Sequence, residues 1–163
     1  MTRLSVGTPA LVIGGTLLLA LALTALPVPP WAAIWRPAWV ALVLIYWCMA
    51  VPSRIGVLAA WTVGLLLDVL SGTLLGQHAL GLALVAYVTH ETHRRVRVLP
   101  LWQQAVSVFV LVFVYQMLLL WINGIQGLPV VASAYWTAPL VSTLLWPWVF
   151  VVLRDVRRKY RIV

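Results

Sequence analysis

Six apolar segments, separated by short polar or basic stretches, follow one another along the 163-residue chain. Runs such as Leu17-Leu18-Leu19 and Leu65-Leu66-Leu67 place apolar side chains at successive positions. The strands of a membrane barrel alternate apolar and polar residues, so these runs exclude a barrel and predict helices. We place the helices at approximately 9–26, 37–51, 55–70, 76–90, 102–122 and 137–153.

Composition indicates that these helices lie in a membrane. Hydrophobic residues make up 64% of the chain and charged residues 9%, against roughly 25% charged residues in soluble domains. A soluble domain of this length cannot bury so much apolar surface. We therefore predict an all-α polytopic membrane protein with six transmembrane helices, built as a single domain over residues 1–163.

The basic residues indicate an orientation. The net charge is +8, from eleven Lys and Arg against three acidic residues. With the N-terminus in the cytoplasm, every basic residue except Arg36 falls on the cytoplasmic side, Arg3 and Arg54 among them, as the positive-inside rule requires. This distribution predicts cytoplasmic N- and C-termini and argues against a nucleic-acid partner. The basic C-terminal tail is expected either to attract anionic lipids or to dock a cytoplasmic partner; it comprises Arg154, Arg157, Arg158, Lys159 and Arg161.

Asp68 is the only formally charged residue inside the six segments. A carboxylate within a membrane span indicates a functional or structural role by default. It belongs to a stripe at i, i+4 spacing, which lets another helix approach closely. The first interpretation is that Asp68 has a structural role and bonds to Ser71, Gln77, His78 or the N-terminus of the next helix. Two alternatives stay open: contact with a partner or ligand, and proton or ion handling. The stripe comprises Gly56, Ala60, Gly64, Asp68 and Gly72.

The sequence offers no catalytic or cofactor motif. Cys48 is the only cysteine, so no disulfide can form within the chain. His90 and His93 flank Glu91 but lack the i, i+4 histidine pair of the zinc motif. Asp68 has no second intramembrane carboxylate with which to act. We therefore expect neither an enzyme nor a metal or cofactor site.

An ordered set of short motifs resembles a known family. The motifs are Arg36-Pro37-x-Trp39-Val40, Leu44-Ile45-Tyr46-Trp47, Pro52-x-Arg54, Gly64 to Asp68, Ser71-Gly72-x-x-Leu75-Gly76-x-x-Ala79, Leu101-Trp102-Gln103-Gln104 and Leu145-Trp146-Pro147-Trp148. They cover nearly the whole chain and, taken together, are similar to the rod shape-determining MreD family of Gram-negative bacteria.

The resemblance implies a role in the bacterial inner membrane. MreD proteins are multi-pass members of the elongasome, which inserts lateral-wall peptidoglycan in rod-shaped cells. They associate with MreC, a single-span protein with a periplasmic domain, and through it with MreB, RodA and a class B penicillin-binding protein. The resemblance also implies a fold similar to the substrate-binding subunits of energy-coupling-factor transporters, and it carries over no catalytic residue.

A non-catalytic adaptor is the function that these observations predict. We expect a partner helix to dock in a groove formed by the stripe and by Gly76, Ala79 and Ala83, with Asp68 holding the turn that shapes it. A leucine at position 64 should then abolish partner binding without affecting membrane insertion.

The alternative is a small-molecule-binding subunit of a membrane transporter. That function needs a pocket with several convergent polar groups. The sequence supplies few candidates for such a pocket: Asp68, Ser71, Gln77, His78, Asn123 and Gln126.

Overall fold

The computed structural model describes residues 7–129 and 132–162, and the side chains of 9–129 and 135–162. Arg3 and residues 130–131, which belong to the connection between the fifth and sixth predicted helices, therefore lie outside the described residues. The only regular secondary structure in the described part is helix, with no strand, which confirms the all-α class for it. Its helices are α1 (Gly7–Ala25), α2 (Pro30–Ala33), α3 (Trp39–Ala50), α4 (Val57–Ser71), α5 (Gln77–Val96), α6 (Leu101–Ile125) and α7 (Ala132–Lys159).

Two helices end six residues beyond the apolar segments from which they were predicted. The α5 helix continues to Val96 and α7 to Lys159, past the segments ending at 90 and 153. Both extensions carry basic residues in their last turn, where positive charge interacts favourably with the helix dipole. An apolar pattern indicates only the apolar part of a helix, so it underestimates the length of a helix that has a charged end.

Helix length and composition identify two clear candidates for membrane spans. Leu101–Ile125 and Tyr135–Lys159 are each long and apolar enough to cross a membrane, while Pro9–Ala25, Trp39–Ala50 and Val57–Ser71 are apolar but shorter. The prediction of six spans with both termini in the cytoplasm therefore stays a prediction.

The α3 helix forms the centre of the bundle. Every residue from Val40 to Met49 is buried, as expected for a helix that is apolar on all faces. It contacts α1, α5, α6 and α7, while neighbouring contacts link α1 to α4, α4 to α5, α5 to α6 and α6 to α7. Four long helices thus pack against α3, and α4 packs against α5 and α1.

Two polar contacts fix the depth of α3 among its neighbours. The indole Nε1–H of buried Trp47 donates to Thr16 Oγ1 of α1 at 2.9 Å. At the start of α3, the Ala38 N–H donates to the Ser142 hydroxyl of α7 at 3.0 Å. The first contact satisfies the donor of a fully buried indole, the second joins the start of α3 to α7, and both favour one axial position of α3.

The bundle has two chemically different ends. At the basic end, α3, α5 and α7 terminate and α4 and α6 begin, which brings Arg54, Arg97 and the basic residues of α7 to one side. At the opposite end, α4 and α6 terminate, α5 begins, and Arg36 is the basic residue. We call the second the polar end.

Packing around α3 predicts a measurable contrast between two leucines. Leu44 is 0% exposed and Leu144 is 76% exposed. Leu44→Ala should reduce the free energy of unfolding in detergent by about 2–5 kcal/mol, because it leaves a cavity in the core. Leu144→Ala, the control, should change it by less than about 0.5 kcal/mol. Equal effects of the two substitutions would contradict the central position of α3.

Candidate functional site

The α4–α5 turn is the most constrained connection at the polar end. It spans residues 72–76, and a glycine with positive φ lies at each end: Gly72 at 63° and Gly76 at 101°. Glycine adopts this region without the steric penalty of a side chain. Gly72 ends α4 in the left-handed conformation that commonly terminates helices, and Gly76 precedes the first residue of α5.

The Asp68 carboxylate caps α5 from the neighbouring helix. It is fully buried and accepts backbone N–H groups of Gly76 at 2.8 Å, His78 at 2.8 Å and Ala79 at 3.3 Å. The first N–H groups of a helix have no partner within the helix. Gly76, at the N-cap of α5, has no side chain that could accept a hydrogen bond from these groups. Asp68, eight residues earlier in the chain, supplies the acceptor.

Two side chains complete the coordination of the Asp68 carboxylate. His78 Nδ1 lies 2.8 Å and the Thr73 hydroxyl 3.0 Å from Asp68 Oδ1. With a proton on Nδ1, His78 donates to the carboxylate. In a neutral ring, Nε2 is then the hydrogen-bond acceptor. Both carboxylate oxygens therefore have several donors, as a buried charge requires.

Only some of the expected Asp68 partners are observed. The helix N-terminus and His78 bind the carboxylate, and Thr73 joins them. Ser71 is exposed, and Gln77 is buried but directs its amide towards α6. The favourable interaction of the carboxylate with the positive end of the α5 dipole adds to these hydrogen bonds.

Small residues below Asp68 bring α4 and α5 into backbone contact. A Cβ atom built on Gly64 would lie 2.3 Å from Ala79 Cα and 2.6 Å from Ala79 N. Ala60, Gly64, Ala79 and Ala83 are all buried. Close approach of the two helices thus depends on the absence of a side chain at Gly64.

This packing corrects the expectation of a free groove for a partner helix. The groove is filled by the chain's own α5, because Gly64 is already covered by the Ala79 backbone. Consequently, Gly64→Leu is expected to disrupt the α4–α5 pair itself, and a selective loss of partner binding is no longer the expected result. Of the candidate residues, Gly56, Ser71 and Gly72 remain exposed and Gly76 is half-buried.

A polar cavity of about 470 Å³ opens beside this turn at the polar end. It brings together Ser71, Gln77, His78 and Asn123, which are four of the six residues that the small-molecule alternative requires. Asp68 itself does not line the cavity, but its hydrogen-bond partners Thr73 and His78 do. The cavity also receives polar side chains that sequence reasoning did not select: Thr24, Arg36, Thr73, Tyr115, Gln116 and Tyr135.

A hydrogen-bond chain crosses one wall of this cavity. Gln77 Nε2 donates to Asn123 Oδ1 at 2.8 Å, and Asn123 Nδ2 donates to the Tyr135 hydroxyl at 2.6 Å. Gln126 Nε2 reaches Gln77 Oε1 at 3.4 Å. The chain links α5, α6 and α7, so the cavity wall is held by polar contacts as well as by packing.

The missed residues carried only a weak sequence signal. Thr73 and Tyr135 lie far apart in the chain, and each is the kind of residue that commonly occurs near a membrane surface or a turn. Thr73 could have been found from the turn itself, because a hydroxyl five residues after a buried carboxylate can fold back to it across a glycine turn. Nothing local indicates Tyr135, whose partner lies on another helix.

Within the described residues, no group of three or more His, Cys, Asp or Glu side chains could hold a metal ion. His90 and His93 lie near each other at the basic end, with ring centroids 5.5 Å apart. The residues predicted as a basic tail continue α7 to Lys159. Arg154, Arg158, Lys159 and Arg161 are exposed, while Arg157 is half-buried.

Comparisons with known proteins give a consistent result. The family model of the rod shape-determining protein MreD matches residues 8–156. The rod shape-determining protein MreD of Haemophilus influenzae is 34% identical over 143 residues, which are 84% of this chain and 86% of that protein. No solved structure matches the chain. Similarity to the energy-coupling-factor subunits therefore stays a prediction.

Removal of the Asp68 carboxylate should destabilise the protein strongly. Asp68→Ala leaves several buried N–H groups without an acceptor, each worth about 1–3 kcal/mol, so we expect a total loss of at least about 3 kcal/mol in the free energy of unfolding. Asp68→Asn keeps one acceptor oxygen and should lose less. Asp155→Ala serves as the control because that carboxylate is exposed, and its effect should stay within about 0.5 kcal/mol. An Asp68→Ala variant as stable as the control would refute the capping role.

Gly64→Ala should destabilise the α4–α5 pair through overpacking, by about 1–3 kcal/mol. The control is Gly15→Ala in α1, where an added Cβ meets nothing within 4 Å. Because alanine is the better helix former, that variant should be unchanged or slightly more stable. Thermal unfolding in detergent distinguishes the two, and an unchanged midpoint for Gly64→Ala would contradict the close helix contact.

Proposed function

The chain belongs to the family of the rod shape-determining protein MreD, as its motifs predicted, and from that premise we propose that it is a non-catalytic membrane adaptor of the elongasome. In this role it binds the single-span protein MreC and thereby connects indirectly to MreB, RodA and a class B penicillin-binding protein. It supports lateral peptidoglycan synthesis and rod shape from the bacterial inner membrane. The family match over residues 8–156 carries this proposal.

The distribution of polar groups is consistent with an adaptor. The buried carboxylate is engaged in holding α4 against α5, and its hydrogen-bond partners belong to the chain itself. Large apolar side chains are exposed along α1, α4, α6 and α7. Lipid or partner helices must cover these faces, so six membrane spans with cytoplasmic termini remain our proposal for the topology.

Trp148 marks the face on which we place the MreC helix. It is 74% exposed and lies near the middle of α7, whereas Trp146 is fully buried. Interfacial belts account for tryptophans near the ends of spans, and they do not account for one at this depth. Leu140, Leu144 and Trp148 form an exposed row at i, i+4 spacing, against which a partner helix can pack. Large exposed aromatic residues are frequent anchors of interfaces.

A small-molecule-binding subunit is a second candidate, favoured by the polar cavity. Its volume of about 470 Å³ lies within the range of about 300–1,000 Å³ that is typical of ligand sites. Its polar groups come from several helices, more than the sequence had suggested. This function would require recovery of a bound small molecule or of a transporter ATPase module with the purified chain.

The adaptor proposal predicts what a tagged copy recovers from its own membrane. MreC should co-purify in near-equal amount, and Trp148→Ala should lower its recovery about tenfold, as expected for loss of an interface anchor. Trp121→Ala is the matched control, since Trp121 is 72% exposed but lies towards the polar end. That variant should recover MreC normally, and both variants should unfold at the temperature of the wild type.

Two results would each overturn a different part of this account. Recovery of an ATPase module or a tightly bound small molecule without MreC would favour the second candidate. Normal MreC recovery by Trp148→Ala would leave the adaptor role intact and exclude the α7 face as the contact.

A further inference from the structure

Three arginines line a second, smaller cavity at the basic end. Its volume is about 180 Å³, and it lies between the ends of α3, α5 and α7 and the start of α6. Arg97, Arg154 and Arg157 line it together with Tyr46 and Gln104. We call it the arginine cavity. It takes no part in the contacts of Asp68 or in the exposed face of α7.

The positive charges of the arginine cavity are poorly compensated within the described residues. Only Arg154 approaches a carboxylate, that of Asp155 at 3.8 Å, and both side chains are largely exposed. Arg157 Nε donates to the Ile162 carbonyl at 3.1 Å, which fixes the direction of its guanidinium. Three like charges around one small space repel each other, so an anion bound there would stabilise the arrangement.

Gln104 provides an independent indication of a ligand. The residue is 4% exposed, and its Nε2 donates to the Leu99 carbonyl at 3.0 Å. Its Oε1 atom is buried and has no hydrogen-bond partner among the described residues. A buried acceptor left unpaired is costly and calls for a donor. Because Gln104 lines the arginine cavity, a ligand in the cavity can supply that donor.

Size and chemistry together define the ligand. At about 180 Å³, the cavity is smaller than the roughly 300–1,000 Å³ that is typical of drug-sized sites. Arginines recognise phosphate through paired N–H donors, and Gln104 Oε1 requires a hydroxyl or N–H donor. We propose that the arginine cavity binds the phosphate of an anionic phospholipid whose headgroup carries a hydroxyl, with the arginines around the phosphate and Gln104 accepting from the hydroxyl.

Position along the helices favours a lipid over a soluble phosphate. The cavity lies at the level where apolar helices end and basic residues begin. Anionic headgroups occupy this level of a bilayer, and basic pockets between transmembrane helices are known sites for them. Tyr46, with an apolar ring and a polar hydroxyl, is well suited to the same boundary.

Lipid retention by the purified full-length chain tests the proposal. The protein, freed of lipid in neutral detergent, is mixed with equal amounts of phosphatidylglycerol and phosphatidylcholine, and retained lipid is counted by native mass spectrometry. Wild type should prefer phosphatidylglycerol by at least about tenfold. The combined substitutions Arg97→Gln, Arg154→Gln and Arg157→Gln should abolish the preference. The single, exposed Arg97→Gln change should reduce it without affecting packing.

A charge-matched control separates a specific site from diffuse attraction. Arg95→Gln, Arg158→Gln and Lys159→Gln together also remove three charges, from exposed residues that do not line the cavity. This variant should retain the lipid preference of the wild type. Equal loss in both triple variants, or loss in neither, would overturn the proposal.

Two further comparisons test the parts of the ligand. Phosphatidylmethanol has the same charge without the hydroxyls, so wild type should bind it about fivefold more weakly than phosphatidylglycerol. Gln104→Met should erase that difference, and its persistence would exclude the role of Gln104. Inorganic phosphate should not displace the lipid at equal concentration. Displacement would assign the cavity to a soluble phosphate and overturn the lipid assignment.

Discussion

The buried Asp68 carboxylate is the interaction on which the α4–α5 pair depends. It lies at the end of one helix and satisfies the first N–H groups of the next, with distances of 2.8 Å to Gly76 and His78. A charge in this position is tolerated only because hydrogen bonds and the helix dipole surround it. The same contact fixes the turn over which the polar cavity opens, and it holds Gly64 against Ala79. One carboxylate therefore organises the polar end of the bundle.

Residues inside the bundle and residues on its surface therefore have different roles. Ala60, Gly64, Ala79 and the buried Asp68 serve contacts within the chain, whereas many large apolar side chains, including Trp148 on α7, are exposed. On the α7 face that we propose for the partner, a helix would meet bulky side chains, because the small-residue contact at Gly64 is already occupied by α5. Association of that kind relies on van der Waals packing between side chains.

The sequence predicted the all-α class, the importance of Asp68 and two of its partners, because each follows from local spacing or from the cost of a buried charge. It could not predict which helix would fill the small-residue stripe, since an i, i+4 pattern shows that a close neighbour exists without identifying it. The polar cavity was underestimated for a similar reason. Tyr135 and Asn123 come together only when α6 and α7 pack, and the two arginine-bearing helix ends at the basic end meet only in three dimensions.

Hydrogen exchange of individual backbone amides tests the central claim most directly. In most helices the first-turn amides exchange quickly because they lack acceptors within the helix. If Asp68 caps α5, the amides of Gly76, His78 and Ala79 in the wild-type protein will exchange as slowly as amides in the middle of α5. Exchange at these three positions as fast as that of an uncapped first turn would show that the carboxylate does not hold the helix, and the account of the polar end would fail.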